Sequence, residues 1–285
     1  ELWVTDGTTA GTHLVKDIVE GPADSLSGVR FVVDGTLRFV SMEGNGLYRL
    51  WKTDGTEAGT QPLKTLALGE MGIGGGGVVL DSGLTIIPMG TETQGLELWT
   101  SDGTAEGTVP MTTALGMSQP SSPSPFIRAG SLQYFTADDG LHGRELWVTD
   151  GTKVGTHLVK DVMPGVANAF GLRFTDMEGA AVGNTFYFIA SDGVHGRELW
   201  KTDGTEAGTA MVKDIWVGPG DAVPSTRLRS QLLNLNGVLL FSAQDRDGHG
   251  VLWRSDGTEA GTVMLSNQIA AEWMHVVGNQ VYFQG

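Results

Sequence analysis

The sequence feature that most restricts the fold is a segment that repeats from one end of the chain to the other. Its clearest copy is Glu198-Leu199-Trp200-Lys201-Thr202-Asp203-Gly204-Thr205-Glu206-Ala207-Gly208-Thr209, and related copies centre on Trp3, Trp51, Trp99, Trp147 and Trp253. The six tryptophans are spaced by 48, 48, 48, 53 and 53 residues. A unit of that length cannot bury its apolar face alone, so neighbouring units must cover one another. This points to a propeller or a solenoid, and to one domain spanning residues 1–285.

Each copy divides into four apolar runs. In the best-preserved one, Met177–Val182 and Thr185–Ala190 flank Gly183-Asn184, the polar loop Asp192–Arg197 follows, and Glu198–Thr202 connects to Thr209–Ile215 through a second glycine-rich turn. Short runs joined by tight turns predict a four-stranded antiparallel meander, with strands a to d in chain order. Both faces of Phe186-Tyr187-Phe188-Ile189 are apolar, the pattern of a strand covered on both sides. Val212-Lys213-Asp214-Ile215 is mixed, as expected near an outer edge. Glycine supplies the punctuation: 43 residues of 285, against roughly 7% in average proteins. Longer linkers such as Met163-Pro164-Gly165 and 217–224 return the chain from an outer edge to the next inner strand. The copy before Trp99 is the weakest. Pro88 falls in its strand b and cannot donate to a ladder, so that strand is expected to be irregular.

The chain opens on strands c and d (Glu1–Thr5, Thr12–Ile18) and closes on strands a and b (Trp273–Val277, Gln280–Gln284). These halves are complementary. The expected fold is therefore all-β: a six-bladed β-propeller of four-stranded antiparallel blades, its last blade shared between the N-terminal c and d strands and the C-terminal a and b strands. Closure of that kind removes unpaired sheet edges, whereas an open solenoid has no reason to split a unit. Tyr282-Phe283-Gln284-Gly285 also matches the tail of a protease-cleavage tag, but Tyr282-Phe283 aligns with Tyr187-Phe188 and is assigned to strand b.

Charge narrows the partners. A net charge of −15 gives a phosphate backbone no basic surface to displace counterions from, so nucleic acid and anionic membranes are excluded as expected partners. The chain contains no apolar run of 18 residues, hence no membrane insertion is expected. The absence of cysteine fits a secreted bacterial protein without requiring one. No signal peptide is visible, and a start at Glu1, inside a repeat, is expected of a piece of a longer polypeptide.

The motif Glu-Leu-Trp-x-x-Asp-Gly-Thr, followed by x-x-Gly-Thr and often by Leu/Met-Val-Lys-Asp, resembles the ELWxxDGT repeat family of bacterial extracellular and surface proteins. It stands as Glu145-Leu146-Trp147-Val148-Thr149-Asp150-Gly151-Thr152, and nearly unchanged around Trp3 and Trp200. Departures are small: Arg49 and Val251 replace the glutamate, and Ser101 and Ser255 replace the threonine. The resemblance implies a repeat scaffold of secreted or cell-surface proteins with no catalytic residues to carry over.

The Asp-Gly pairs at Asp6, Asp54, Asp102, Asp150, Asp203 and Asp256 suggest calcium only superficially. Each turn offers one carboxylate, where calcium takes 6 to 8 oxygens. The plainer reading is an aspartate accepting backbone N–H bonds beside a glycine at positive φ. The b–c loops carry more information. Asp138–Arg144, Asp192–Arg197 and Asp245–Gly250 each place a histidine near acids. Zinc is disfavoured, because packed sheets stand roughly 10 Å apart and Zn–N bonds are about 2 Å. Calcium at Asp245 and Asp247 is the one metal reading retained, and no other cofactor is expected. The loops 43–46 and 91–94 fill the same place without histidine, and variable loops on a rigid scaffold are where specificity resides. Asp139, His142, Arg144, Asp192, His195, Arg197, Asp247 and His249 are accordingly the expected contacts for a protein or glycan partner.

No catalytic residue is assigned. There is no cysteine nucleophile and no Gly-x-Ser-x-Gly elbow. Glu178 has only the linker acids Asp176 and Asp221 to pair with for glycoside hydrolysis. The expected function is a non-catalytic recognition or scaffolding module of a bacterial extracellular or surface protein. A glycoside hydrolase and a structural spacer or self-assembly module are the alternatives.

Overall fold

Alternation and turn chemistry produce the expected strands in the computed structural model, which describes residues 1–19, 26–33, 35–43, 47–67, 77–91, 95–111, 123–171, 177–223, 232–244, 249–266 and 272–284. These residues fall into two compact units, Glu1–Pro123 with Gly151–Val154, and Ser124–Asp150 with Gly155–Gly285. The repeats alone led to a single domain. In repeat architectures contacts are made mainly between neighbouring units, so a chain can divide at any junction where they thin out.

In the first unit, β1 (Leu2–Val4) and β2 (His13–Lys16) form a two-stranded sheet. Two four-stranded sheets follow. One contains β3 (Leu26–Val33), β4 (Thr36–Glu43), β5 (Leu47–Thr53) and β6 (Gln61–Ala67); the other contains β7 (Val78–Val79), β8 (Thr85–Thr91), β9 (Gly95–Ser101) and β10 (Val109–Pro110). In the second unit, three four-stranded sheets are built from β11 (Ile127–Ala129), β12 (Leu132–Asp138), β13 (Arg144–Thr149) and β14 (His157–Lys160); from β15 (Gly179–Val182), β16 (Thr185–Ser191), β17 (Arg197–Thr202) and β18 (Ala210–Lys213); and from β19 (Leu233–Leu235), β20 (Val238–Gln244), β21 (Gly250–Ser255) and β22 (Val263–Met264). The last pair, β23 (Glu272–Val277) and β24 (Gln280–Gln284), is again two-stranded. Every pairing is antiparallel between consecutive strands. The terminal pairs thus stand as separate two-stranded sheets, and the single blade expected from them is not present as one hydrogen-bonded sheet.

Burial is deepest in the middle strands: β12, β16 and β20 are buried over their five central residues, and β13 over all six of its residues. Sheets pack face to face. In the second unit, Tyr134 of one sheet stacks on Phe186 of the next with ring centroids 4.5 Å apart; within a sheet, the cross-strand pair Phe188 and Trp200 stacks at 6.4 Å. In the first, Phe31, Val40 and Leu50 share a core with Ile87 and Met89. Close approaches between successive sheets are made by their inner strands, β3 with β7, β11 with β15, β15 with β19 and β19 with β23. Within each unit the sheets therefore fan outward, as blades do.

Two features differ from a simple meander. β8 runs unbroken through Pro88, which pairs with Leu98; the expected irregularity appears instead in β7, whose ladder covers only Thr85 and Ile86 and stops short of the proline. A bulge also recurs at the Leu-Trp step where strand c meets strand d, at Leu2/Trp3, Leu50/Trp51, Leu146/Trp147 and Leu199/Trp200. The extra residue increases local twist.

The Thr-Asp-Gly-Thr-x-x-Gly-Thr turn can be explained atom by atom. Asp203 Oδ1 accepts from Thr205 N at 2.9 Å and Thr205 Oγ1 at 2.7 Å, Gly208 N donates to Thr205 Oγ1 at 3.0 Å, and Thr209 Oγ1 donates to the Thr205 carbonyl at 2.6 Å. The proton of Thr209 is thereby used, so Thr202 Oγ1 must be the donor in its 2.7 Å contact with Thr209 Oγ1. The glycine after the aspartate sits at φ +97°. A Cβ on Gly208 would lie 2.1 Å from the Asp203 carboxylate, so no side chain fits there. The same Asp–Thr bonds recur at Asp6, Asp54, Asp102 and Asp256. The threonine hydroxyl and N–H hold each of these carboxyls below the usual carboxylate range.

Candidate functional site

Two b–c loops of the second unit, 138–144 and 191–197, have the same internal wiring. Asp139 Oδ1 accepts the N–H groups of Leu141 and His142 at 2.9 and 2.8 Å, and its Oδ2 lies 2.7 Å from His142 Nδ1. In the next repeat Asp192 Oδ1 accepts from Val194 N and His195 N, both at 2.8 Å, and Oδ2 lies 2.7 Å from His195 Nδ1. An ionised carboxylate only accepts, so Nδ1 carries the proton and each imidazole presents Nε2 outward. Burial pushes the Asp139 and Asp192 carboxyls up, but the hydrogen bonds from the histidine side chain and from backbone N–H groups outweigh it and leave both lowered. The side-chain hydrogen bond to the paired aspartate, helped by its charge, raises His142 and His195 against the effect of burial.

The loops rest on the d–a linkers. Arg144 N donates to Asn168 Oδ1 at 2.7 Å and Arg197 N to Asp221 Oδ1 at 2.9 Å. Gly143 and Gly196 have φ of +67° and +70°, and a Cβ on them would lie 2.1 Å from Ala167 O and 2.2 Å from Gly220 O. Only glycine permits both the conformation and the approach. The linker of one repeat also touches the loop of the next: a Cβ on Gly193 would lie 3.2 Å from Met163 Cε, and Ser191 N donates to Ala169 O at 3.0 Å.

Below the loops lie the motif glutamates, both wholly buried. Glu145 accepts from Val162 N and Met163 N at 3.1 Å each; Glu198 accepts from Ile215 N at 2.9 Å and Trp216 N at 3.1 Å. Each glutamate thus pins the turn that leaves strand d. Burial pushes Glu145 up to about 8 against these donors, with Asp161 adding to the rise. Burial likewise pushes Glu198 up to about 7, reinforced by Asp214 and Asp221.

The expected contact residues separate into two groups. His142 and His195 are half-exposed, with 38% and 37% of their side-chain surface accessible. Asp139 and Arg144 are buried. Arg144 reaches Thr136 Oγ1 at 3.1 Å, and Arg197 donates to Val223 O at 3.0 Å and meets Glu178 Oε2 at 3.4 Å. These charged groups build the loops from inside. His249 is exposed, whereas Asp245 and Asp247, and the calcium site expected on them, lie outside the described residues, as does Asp176. Asp221 Oδ1 is the acceptor for Arg197 N already described. Among the described residues, no group of three or more His, Asp or Glu side chains could hold a metal ion.

Sequence reasoning passed over four aliphatic residues on the same loops and linkers. Leu141, Val166, Val194 and Val217 are 66%, 81%, 63% and 78% exposed. The signal available in the sequence is that each stands next to a glycine in a loop or linker: Gly140, Gly165, Gly193 and Gly218.

No protein family model matches the chain, and no curated protein matches it. Solved structures similar to it include oligopeptidase B from Leishmania major, 14% identical over 93% of this chain and 38% of that one, with a TM-score of 0.47. An uncharacterized protein from Listeria monocytogenes is 10% identical over 88% of this chain and 68% of that one, with a TM-score of 0.43. TolB from Acinetobacter baumannii is 13% identical over 78% and 49%, with a TM-score of 0.36. The chain spans about half of TolB and well under half of the oligopeptidase.

Proposed function

We propose that this chain is a non-catalytic recognition module of the ELWxxDGT repeat type, from a bacterial extracellular or surface protein, that binds a protein partner through its b–c loops and d–a linkers. The observation that carries the reading is the pairing of exposed aliphatic side chains with rigid supports. Leu141 and Val194 project from loops locked by an aspartate–histidine clasp, and Val166 and Val217 project from the linkers pressed against them. Rigid presentation lowers the entropy lost on binding, and aliphatic groups bordered by polar residues suit a protein surface better than a glycan. His142 and His195 supply outward-facing Nε2 atoms at the border; Asp139, Arg144, Asp192 and Arg197 hold the loops in shape.

The same reading includes a closed six-bladed propeller in which β1–β2 and β23–β24 share the sixth blade. Trp3 is 58% exposed, against 4% for Trp51, 5% for Trp147 and 7% for Trp200, which supports a missing cover at the N-terminal pair. Phe283 aligns with Phe188, the ring stacked on Trp200.

Selection of a displayed peptide library on the folded protein tests the recognition role. Enriched peptides should bind at least tenfold more weakly to Leu141→Asp and Val194→Asp, and equally well to Val154→Asp, a 94% exposed position in a c–d turn. Binders indifferent to the loop changes, or a glycan-array hit lost on them instead, would overturn a protein partner at this surface.

A further inference from the structure

The hairpin turn between β19 and β20 holds a reactive pair of residues. Alone among the described residues other than glycine, Asn236 has a positive φ, +52°, and Gly237 follows at +89°. Two central residues at positive φ make the tight turn that matches strand twist, and Asn-Gly is the pair best suited to it. Turn geometry explains why the pair is there, yet the pair also carries a chemistry of its own. An asparagine amide carbon is open to attack by the backbone nitrogen of the next residue, and a following glycine, with no Cβ, gives that nitrogen the least steric cover.

The surroundings leave room for the reaction. Asn236 and Gly237 are both exposed, and a Cβ placed on Gly237 would meet nothing within 4 Å. The Asn236 amide nitrogen, which has to leave, is tied by a long 3.4 Å bond to Asn279 Oδ1 in the next a–b turn. Other turns differ. Gly183-Asn184 and Gly278-Asn279 reverse the order, so Thr185 and Gln280 follow the asparagine, and Asn184 Oδ1 lies 2.8 Å from the Cβ position of Gly130. One contact opposes attack: Gly237 N donates to Asn234 Oδ1 at 2.9 Å, and Asn234 Nδ2 is itself fixed to Ala181 O of the preceding sheet at 2.9 Å. That bond stabilises the proton that the nitrogen must lose before it attacks.

We propose that Asn236 is a site of spontaneous deamidation whose rate in the folded protein is restrained by Asn234. Gly237 N loses its proton and attacks Asn236 Cγ; the new N–C bond closes a succinimide ring, and the amide nitrogen leaves as ammonia. Water then opens the ring at either carbonyl, giving aspartate or isoaspartate. Overall, one water is consumed and one ammonia released. Both products exchange a neutral donor for a carboxylate facing Asn279 Oδ1, and isoaspartate adds a carbon to the main chain of the turn. The modification thus falls on the junction between the β19–β22 sheet and the β23–β24 pair. It is separate from the loop surface above and does not depend on it.

The test is incubation of the folded protein at mildly alkaline pH, followed by peptide mapping with mass spectrometry. Mapping resolves each asparagine, including Asn45 of the other Asn-Gly pair in the sequence. Aspartate and isoaspartate should accumulate at position 236 at least tenfold faster than at 184 or 279, and faster still as pH rises. Asn234→Ala, a change at an exposed position, should accelerate the folded reaction at least threefold, whereas in concentrated urea wild type and variant should react equally. The wild type should also react at least threefold more slowly folded than in urea, a comparison that holds whether or not Asn234→Ala folds. No excess of deamidation at 236 over 184 and 279 would overturn the site. A folded wild type as fast as the urea-unfolded chain, an unchanged folded rate in Asn234→Ala, or the same acceleration by that variant in urea would each overturn the restraint.

Discussion

At the scale of single residues, the motif glutamates are the least obvious part of the design. A carboxyl at the start of an Leu-Trp strand looks like a surface charge, yet Glu145 and Glu198 are wholly buried and serve as acceptors for the turn leaving strand d. Because burial raises their folded pKa values to about 8 and about 7, the folded state keeps protons that the unfolded chain releases above the ordinary glutamate value. Their contribution is fully present at acid pH and is lost as pH rises toward 7 and 8. The raised histidines His142 and His195 act in the same direction above their ordinary value, and the lowered aspartates matter only below about pH 4. Stability in urea should therefore fall between pH 5 and pH 8, with Glu198 accounting for a loss on the order of 1–3 kcal/mol. Glu198→Gln, which cannot ionise, should flatten that slope; an unchanged slope would show that Glu198 is already charged in the folded protein.

Residue-scale legibility depended on sequence distance. The Asp-Gly-Thr turn was readable because every partner of Asp203 lies within a few residues of it. Asp139 and Arg144 were read as exposed contacts because the groups that cover or pin them, such as Asn168, come from a linker more than twenty residues away. The indoles make a similar point. Trp51 Nε1 donates to Ser41 at 2.9 Å, whereas the Nε1 groups of Trp147, Trp200 and Trp253 are buried without a partner among the described residues. Alanine (Ala137, Ala190, Ala243) takes the serine's place in those repeats.

At the scale of elements, the lysine of the Val-Lys-Asp run links one sheet to the next. Lys16 Nζ donates to Thr60 O at 3.1 Å, Lys160 to Thr209 O at 3.1 Å and Lys213 to Thr262 O at 3.0 Å; Lys64 reaches Thr108 O likewise. Each acceptor is the last threonine of the following repeat's turn, so outer strand and neighbouring turn are joined by a charge-assisted bond. Lys16 and Lys64 also stand 6.0 Å over the ring centroids of Trp51 and Trp99. Lys160→Met keeps the stem and removes the donor, and should lower stability by about 1 kcal/mol in denaturant unfolding. An unmoved midpoint would leave the bond without energetic weight. The strands themselves were readable from alternation and turn residues, because each short apolar run had one compatible role. Pro88 was misjudged because the proline faces the side of β8 where β7 has already ended.

At the scale of the whole molecule, the number and order of the repeats were legible, and so was the blade-like fanning within each unit, since a fifty-residue period with buried inner strands admits few arrangements. The relation between the chain ends is a different matter. It rests on complementary halves rather than on a local signal, and β1–β2 and β23–β24 each form their own sheet. By the alignment with Tyr187 and Lys201, which are direct cross-strand partners, Tyr282 should face Val4 if the halves form one blade. The chain contains no cysteine, so Val4→Cys with Tyr282→Cys introduces a single possible disulfide. Mild oxidation of the dilute, folded double variant, followed by thiol titration, is the most direct measurement. A closed ring predicts an intramolecular disulfide and no free thiols; two titratable thiols on a folded monomer would contradict it.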